Sequence, residues 1–227
     1  MKRKLGAITI GQSPRNDVIP EMLPYLGDNV EVIQAGALDG LSYEEILEFK
    51  PEADDYVLVS KLQDGRSVKF AERYILPRLQ DCIDKLESQG ADVILFICTG
   101  AFPDIFKSKK PILYPQKILH GTTPSLIDKS KLVVITPDED QIVQARDKWK
   151  ETTGIEPLVI NASPYSEEDE IAMAITKLKE YDNIDVVAMD CIGYTEEMKN
   201  RIVKETNIPV VLARSIVARI IGEILNP

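Results

Sequence analysis

Apolar runs of strand length alternate with stretches of helical period along the whole chain. The pattern predicts strands at 5–10, 30–34, 56–60, 93–97, 132–136, 158–161, 186–189 and 210–212, with a weak one at 112–113. Most of these runs are rich in Val and Ile and do not alternate with polar residues. That is the pattern of parallel strands covered on both faces. Between them, start signals mark helices. Ser13-Pro14 reads as an N-cap followed by proline at the first helical position. Ser42 through Glu45 fits a capping box. Thr136-Pro137-Asp138-Glu139 and Ser166-Glu167-Glu168-Asp169 place acidic residues where a helix dipole favours them. The stretch 67–89 reads as helical, with Ser67 as a possible N-cap and Pro77 marking a kink or restart. A final helix is expected over 215–225.

A phrase recurs. Asp92 to Gly100 and Asp185 to Gly193 both read Asp-Val, an apolar strand, then Cys-x-Gly. The repeat extends further. Residues 2–9 match 129–136, and Val32-Ile33-Gln34-Ala35 matches Val159-Ile160-Asn161-Ala162, both at an offset of 127 residues. The cysteine phrases are offset by 93 residues, and the 34-residue difference is about one strand–helix unit. Strand–helix alternation written twice predicts an α/β fold of two similar lobes, each a mainly parallel sheet flanked by helices. The expected boundaries are 1–113 plus 214–227 for the first lobe and 114–213 for the second, with a site in the cleft between them.

Composition narrows the function classes. The chain has 227 residues, 44% of them hydrophobic, and a net charge of -10. No basic patch offsets a phosphate backbone, so a nucleic-acid partner is not expected. No apolar stretch approaches the roughly 20 residues of a membrane span, so no membrane partner is expected. The basic start Met1-Lys2-Arg3-Lys4 runs straight into a strand pattern and does not read as a signal peptide. The three cysteines have no disulfide or zinc spacing, which points to reduced thiols and a cytoplasmic setting. There is one histidine, His120, so a metal cluster or a Ser-His-Asp triad lacks material. His120 itself reads as a surface residue in a loop. With no dinucleotide or Walker motif either, no cofactor is expected. Assembly as a homo-oligomer is left open.

The candidate chemistry lies at strand ends, where parallel α/β sheets bind ligands. Cys98 and Cys191 both fall there. If the lobes face one another, one thiolate can remove an α-proton while the other thiol returns a proton from the opposite face. Contacts of about 3–3.5 Å on each side imply sulfurs roughly 6–8 Å apart. The competing reading of either cysteine alone is a small core residue at a strand end. Cys82 lies on a helical stripe with Ile75, Leu79, Ile83 and Leu86 and reads as core. Gln12, Ser13 and Arg15 follow the first strand, and Arg66 follows the third. They are candidates for holding a carboxylate, against a capping role for Ser13 and a turn role for residues 64–67. Thr99, Gly100 and Gly193 offer donors beside the thiols. Tyr194 either reaches the cleft or packs against the lobe interface. Asp190 and Trp149 read as structural.

Gly11-Gln12-Ser13-Pro14-Arg15, Asp64-Gly65-Arg66-Ser67, Cys98-Thr99-Gly100 and Asp190-Cys191-Ile192-Gly193-Tyr194 together resemble the AroM protein family along the whole chain. More distantly, the layout is similar to the aspartate/glutamate racemase superfamily. That resemblance implies two α/β lobes, one cysteine from each, and cofactor-independent chemistry on a small carboxylate. Amino-acid racemases usually have Asn-Thr after the first cysteine, where Thr99 and Gly100 stand. They have Thr after the second, where Ile192 and Gly193 stand. Glutamate racemases commonly have an acidic residue before Ser where Gln12 stands. These departures remove the usual ammonium-binding partners and leave both thiols in place.

The expected function is a two-cysteine racemase, epimerase or isomerase acting on a small carboxylate ligand. The alternatives are a related decarboxylase or cis–trans isomerase, and a non-catalytic small-molecule-binding or regulatory protein on the same fold.

Overall fold

A computed structural model of the chain describes residues 2–127 and 131–226. Lys129 and Ser130, part of the sequence repeat, lie outside the described residues. The chain divides into two compact units, Met1–Pro115 with Ile221–Pro227, and Gln116–Ile220.

In the first unit the order is β1 (Arg3–Thr9), α1 (Ile19–Leu26), β2 (Val30–Gly36), α2 (Tyr43–Leu47), β3 (Val57–Lys61), β4 (Ser67–Ala71), α3 (Leu76–Ser88), β5 (Val93–Ile97) and β6 (Ile112–Leu113). The main sheet runs β2-β1-β5-β6, and every pairing is parallel. All of β5 and the last five residues of β1 are buried. Leu79, Cys82, Ile83 and Leu86 form the buried stripe of α3. Burial of each aliphatic chain there contributes about 1.5–3 kcal/mol.

The second unit contains α4 (Pro115–Thr122), β7 (Leu132–Thr136), α5 (Ile142–Thr153), β8 (Leu158–Asn161), α6 (Glu170–Leu178), β9 (Val186–Met189), α7 (Glu196–Thr206) and β10 (Val210–Leu212), then α8 (Ala213–Leu225), which ends in the first unit. Its sheet runs β10-β9-β7-β8, again all parallel. Read from the other edge, this is the strand order of the first unit. The registers agree as well: Leu5 faces Val93 in one sheet, and Leu132 faces Val186 in the other. The two-lobe α/β fold expected from the repeat is therefore present in each sheet.

The structure corrects several local expectations. Ala7 faces Gln34 while Val134 faces Val159. The β2–β8 equivalence is thus displaced by two residues from the sequence match. A two-residue slip keeps the same side chains on the same face, so the apolar pattern could not detect it. Residues 67–71 are a strand, not helix, and β3 and β4 form a separate antiparallel hairpin. Val68 and Phe70 point inward while Ser67 and Lys69 are more exposed, which is a period of two. Gly65, at φ 90°, closes the turn. Pro77 lies in the first turn of α3 and marks a start, with no kink. Among the described residues, no strand intervenes between β8 and α6. The hairpin therefore supplies much of the extra length in the first unit.

Ser13 does not cap α1, which begins at Ile19 with Pro20 in its first turn. The Ser13–Pro14 peptide is cis. The cap of α6 is Asp169, accepting from the Ala172 amide, so Glu167 and Glu168 precede the helix instead of lying in its first turn. Ser42 and Glu45 do form a reciprocal capping box. His120 is neither in a loop nor on the surface: it lies in α4 and is 6% exposed. No helix among the described residues is long and apolar enough to cross a membrane.

Candidate functional site

Parallel pairing of β1 with β5 brings Thr9 opposite Ile97. The loops that follow, 10–15 and 98–101, therefore leave the sheet side by side at its carboxyl edge. Cys98 is half-buried there, and its sulfur accepts the Gly100 amide at 3.3 Å. Thr99 and Gly100 are buried. The Ala101 amide donates to the Tyr56 hydroxyl at 3.1 Å, which ties the cysteine turn to the residue preceding β3.

The loop after β1 is organised by a residue that sequence reading passed over. Asp39 accepts from the Ser13 amide at 2.7 Å, the Ser13 hydroxyl at 2.6 Å and the Gly36 amide at 2.9 Å. A Cβ on Gly36 would lie 2.6 Å from both the Gly11 oxygen and the Ser13 nitrogen, so this close backbone approach requires glycine. Ser13 is thus already engaged with a carboxylate of the protein itself. Arg15 is 4% exposed, makes a two-pronged pair with Asp17 at 2.7 Å and reaches Thr9 Oγ1 at 3.3 Å. Gln12 donates to the Leu41 carbonyl at 3.3 Å and accepts from the Gln63 amide at 3.2 Å. Gln63 also reaches back to the Ser13 carbonyl. The β3–β4 turn is thereby joined to the first loop around a cleft of about 530 Å³ lined by Gln12, Arg15, Asp17, Lys61 and Gln63 among others. Arg66 is exposed, pairs with Asp64 and lies 3.6 Å from the Tyr43 ring centroid.

Cys191 in the second unit repeats the arrangement of Cys98. It is half-buried, and its sulfur accepts the Gly193 amide at 3.3 Å. Its surroundings differ. The Tyr165 hydroxyl is 3.9 Å from the sulfur. A Cβ on Gly193 would be 2.2 Å from that hydroxyl, so the tyrosine occupies the space glycine leaves. Tyr194 is fully buried, and its hydroxyl donates to the Ala162 carbonyl at 2.7 Å. Burial, with Cys191 and Asp190 adding to it, pushes its phenol well up. It faces the interior of its unit. Arg214 is 1% exposed and donates to the carbonyls of Ile192 at 2.9 Å and Gly193 at 3.0 Å.

Behind Cys191 lies a buried polar cluster. Asp190 accepts from Lys148 Nζ at 2.7 Å and Trp149 Nε1 at 2.8 Å. Burial works against its ionisation, but Lys148 and His120 hold its carboxyl below the ordinary value. The His120 ring lies over Trp149, with centroids 3.8 Å apart. Burial, aided by Lys148 and opposed by Asp190, lowers its pKa to about 3. Cys82 is buried in the first core, where burial and the Asp39 charge push its thiol up to about 11.

Asp39, Gln63 and Tyr165 left no signal beyond ordinary turn and loop composition, and Tyr56 read only as the start of a strand. Arg214 left one, a charge in the middle of the mostly apolar run 208–221, which it shares with Arg219. No cluster of metal-ligating side chains occurs among the described residues.

The AroM protein family profile matches residues 5–225, so the chain belongs to that family. No curated protein sequence matches it. Allantoin racemase from Klebsiella pneumoniae superposes with a TM-score of 0.66 at 13% identity, covering 98% of this chain and 87% of that one. Picrophilus torridus aspartate racemase gives 0.59 at 15%, covering 98% and 94%. A liganded double variant of arylmalonate decarboxylase gives 0.64 at 13%, covering 99% and 92%. The chain has the fold these proteins share.

Proposed function

We propose that this AroM family member is a cofactor-independent enzyme that moves an α-proton of a small carboxylate, as a racemase, epimerase or isomerase. Cys98 and Cys191 are its acid/base pair. The observation that carries the reading is the matched pair of cysteine turns. Each thiol ends an equivalent strand, is half-buried, and accepts the amide two residues on at 3.3 Å. An amide aimed at sulfur meets the charge of a thiolate, which a base needs and a core cysteine does not. The racemases among the proteins of like fold support the same class.

In this reading the thiolate of one cysteine takes the α-proton and the thiol of the other delivers one to the opposite face. Donors near the thiols hold the carboxylate and stabilise the enolate-like intermediate. Thr99, Gly100 and Gly193 take that part beside the sulfurs, and Gln12, Ser13 and Arg15 take it on the first loop. Ser13 does so through a hydroxyl shared with Asp39, and Arg15 as a partner already neutralised by Asp17. Arg66 and Tyr194 contribute least, one exposed on the hairpin and the other turned inward.

A second reading has its own observation. Cys191 has Tyr165 beside it and Arg214 beneath its turn. Thiols with unlike surroundings suit a decarboxylase, in which one cysteine protonates a carbanion, and one fold member is named for that reaction.

The test is incubation with small amino, hydroxy and dicarboxylic acids in deuterated water, followed by proton NMR. Loss of an α-proton signal that both Cys98→Ser and Cys191→Ser abolish supports the two-thiol reaction. Release of carbon dioxide that depends on one cysteine supports the second reading. Tight binding of an acid without exchange or gas release excludes both and leaves a ligand-binding protein.

A further inference from the structure

Arg214 is among the most deeply buried charges in the chain, at 1% exposed. It sits in the first turn of α8, and its Nε and Nη2 donate to the Ile192 carbonyl at 2.9 Å and the Gly193 carbonyl at 3.0 Å. The Ile192–Gly193 peptide is therefore held at both ends. Its C=O accepts from the guanidinium, and its N–H donates to the Cys191 sulfur at 3.3 Å. The next peptide is pinned as well. The Gly193 carbonyl faces Arg214, while the Tyr194 amide closes on the Cys191 carbonyl at 3.4 Å.

We propose that Arg214 is a positioning residue for Cys191, holding and polarising the Ile192–Gly193 peptide so that its N–H meets the charge of the thiolate. A buried cation is costly unless its donors are satisfied. Two main-chain carbonyls of one tight turn are an efficient way to satisfy them. A cation at the carbonyl end draws density through the amide and makes the N–H a stronger donor. The same bonds fix the peptide plane, so the N–H does not rotate away when the sulfur loses its proton. Tyr165 packs on the other side of Gly193, where an added Cβ would strike it. The turn therefore has little room to relax without Arg214. A fork of donors in fixed geometry is needed here, and a lysine supplies only a point charge.

The inference rests on the reading of Cys191 as a working thiolate, and the test reads the thiol instead of turnover. The intact protein, Arg214→Lys and Arg214→Met are alkylated with iodoacetamide from pH 5 to 10, and each site is followed by mass spectrometry. Cys98 and Cys82 serve as internal references for folding. In Arg214→Met, Cys191 is expected to react about tenfold more slowly at pH 7, with its profile moved about one unit to higher pH. Arg214→Lys is expected to fall between, and Cys98 to stay unchanged. An unmoved Cys191 profile in folded Arg214→Met overturns the proposal and leaves the two-thiol reading standing. A Cys191 with no thiolate reactivity below the range of Cys82 in the intact protein overturns both. If neither variant folds, the intact protein decides. The Arg214 Nε–H resonance is expected to shift with the Cys191 titration and not in Cys191→Ser, and a resonance that does not respond overturns the relay.

Discussion

Lys148 meets the carboxylate of Asp190 at 2.7 Å in a buried ion pair, with side chains 8% and 1% exposed, one residue before the Cys191 thiol. Trp149 adds its indole N–H to the same carboxylate oxygen. Two groups of α5 thus hold the residue that follows β9. That residue determines where the Cys191 turn begins.

Breaking this pair should cost more than removing it. Asp190→Ala leaves the Lys148 ammonium buried without its partner, at a cost of about 3–5 kcal/mol. Lys148→Met strands the carboxylate, with Trp149 still bonded to it. The double variant Lys148→Met with Asp190→Leu should recover a substantial part of that loss. Urea unfolding of the three variants measures it, and a double variant no more stable than the worse single one would show that the pair is not the issue.

The pH dependence should carry two opposed contributions. The folded pKa of His120 is lowered to about 3, so the unfolded chain binds the extra proton. Its contribution is full above the unfolded pKa near 6.5 and is lost as pH falls below it, by roughly 2 kcal/mol between pH 7 and 5. Burial raises Glu72 to about 7, which has the opposite sign. Its contribution is full below the unfolded value near 4.5 and is lost as pH rises through 7. The two overlap and partly cancel between about 4.5 and 6.5. His120→Gln should therefore flatten the acid loss, and Glu72→Gln should steepen it. Denaturation midpoints at pH 5, 6 and 7 check both signs.

The three thiols should separate by reactivity. Cys82, buried and shifted to about 11, should resist alkylation in the native protein at pH 8, while Cys98 and Cys191 react. Cys82→Ala should leave any exchange activity unchanged. Native and denatured thiol counts with a disulfide reagent are expected to be two and three, the total matching the sequence.

The loop after β1 should depend on Asp39. Asp39→Ala leaves the Ser13 amide and hydroxyl and the Gly36 amide without their acceptor, at a cost of about 1–3 kcal/mol for each donor left buried. Asp39→Asn should lose less, because one carbonyl oxygen remains to accept. Thermal melts compare the variants, and proteolysis within residues 10–16 reports whether the loop has opened.

The fold was largely legible from the chain. Parallel strands buried on both faces write themselves as unbroken Val/Ile runs, and a duplicated sheet writes them twice. The Asp-Val-strand-Cys-x-Gly phrase thus located β5 and β9 and both candidate thiols. The capping box at Ser42 and the α3 stripe through Cys82 were equally readable, because both rest on contacts between near neighbours in sequence. Failures came where a distant partner overrode a local signal. Ser13 resembled a helix cap until Asp39, 26 residues away, took its amide and hydroxyl. Residues 67–71 sat in a helical context until β3 paired with them. His120 resembled a surface residue until Trp149 and Thr152 enclosed it.

The positions of most strands along the chain, the apolar stripe of α3 and the place of each cysteine at a strand end were legible in the sequence alone, since apolar periodicity is a property of the local chain. Only the tertiary structure decided what each candidate side chain does at that strand end. Arg15 is held by Asp17, Ser13 by Asp39, Tyr194 by Ala162, and the Cys191 turn by Arg214. A buried polar group must find a partner wherever the fold supplies one, and the partners of Ser13, Tyr194 and the Cys191 turn lie more than 20 residues away along the chain.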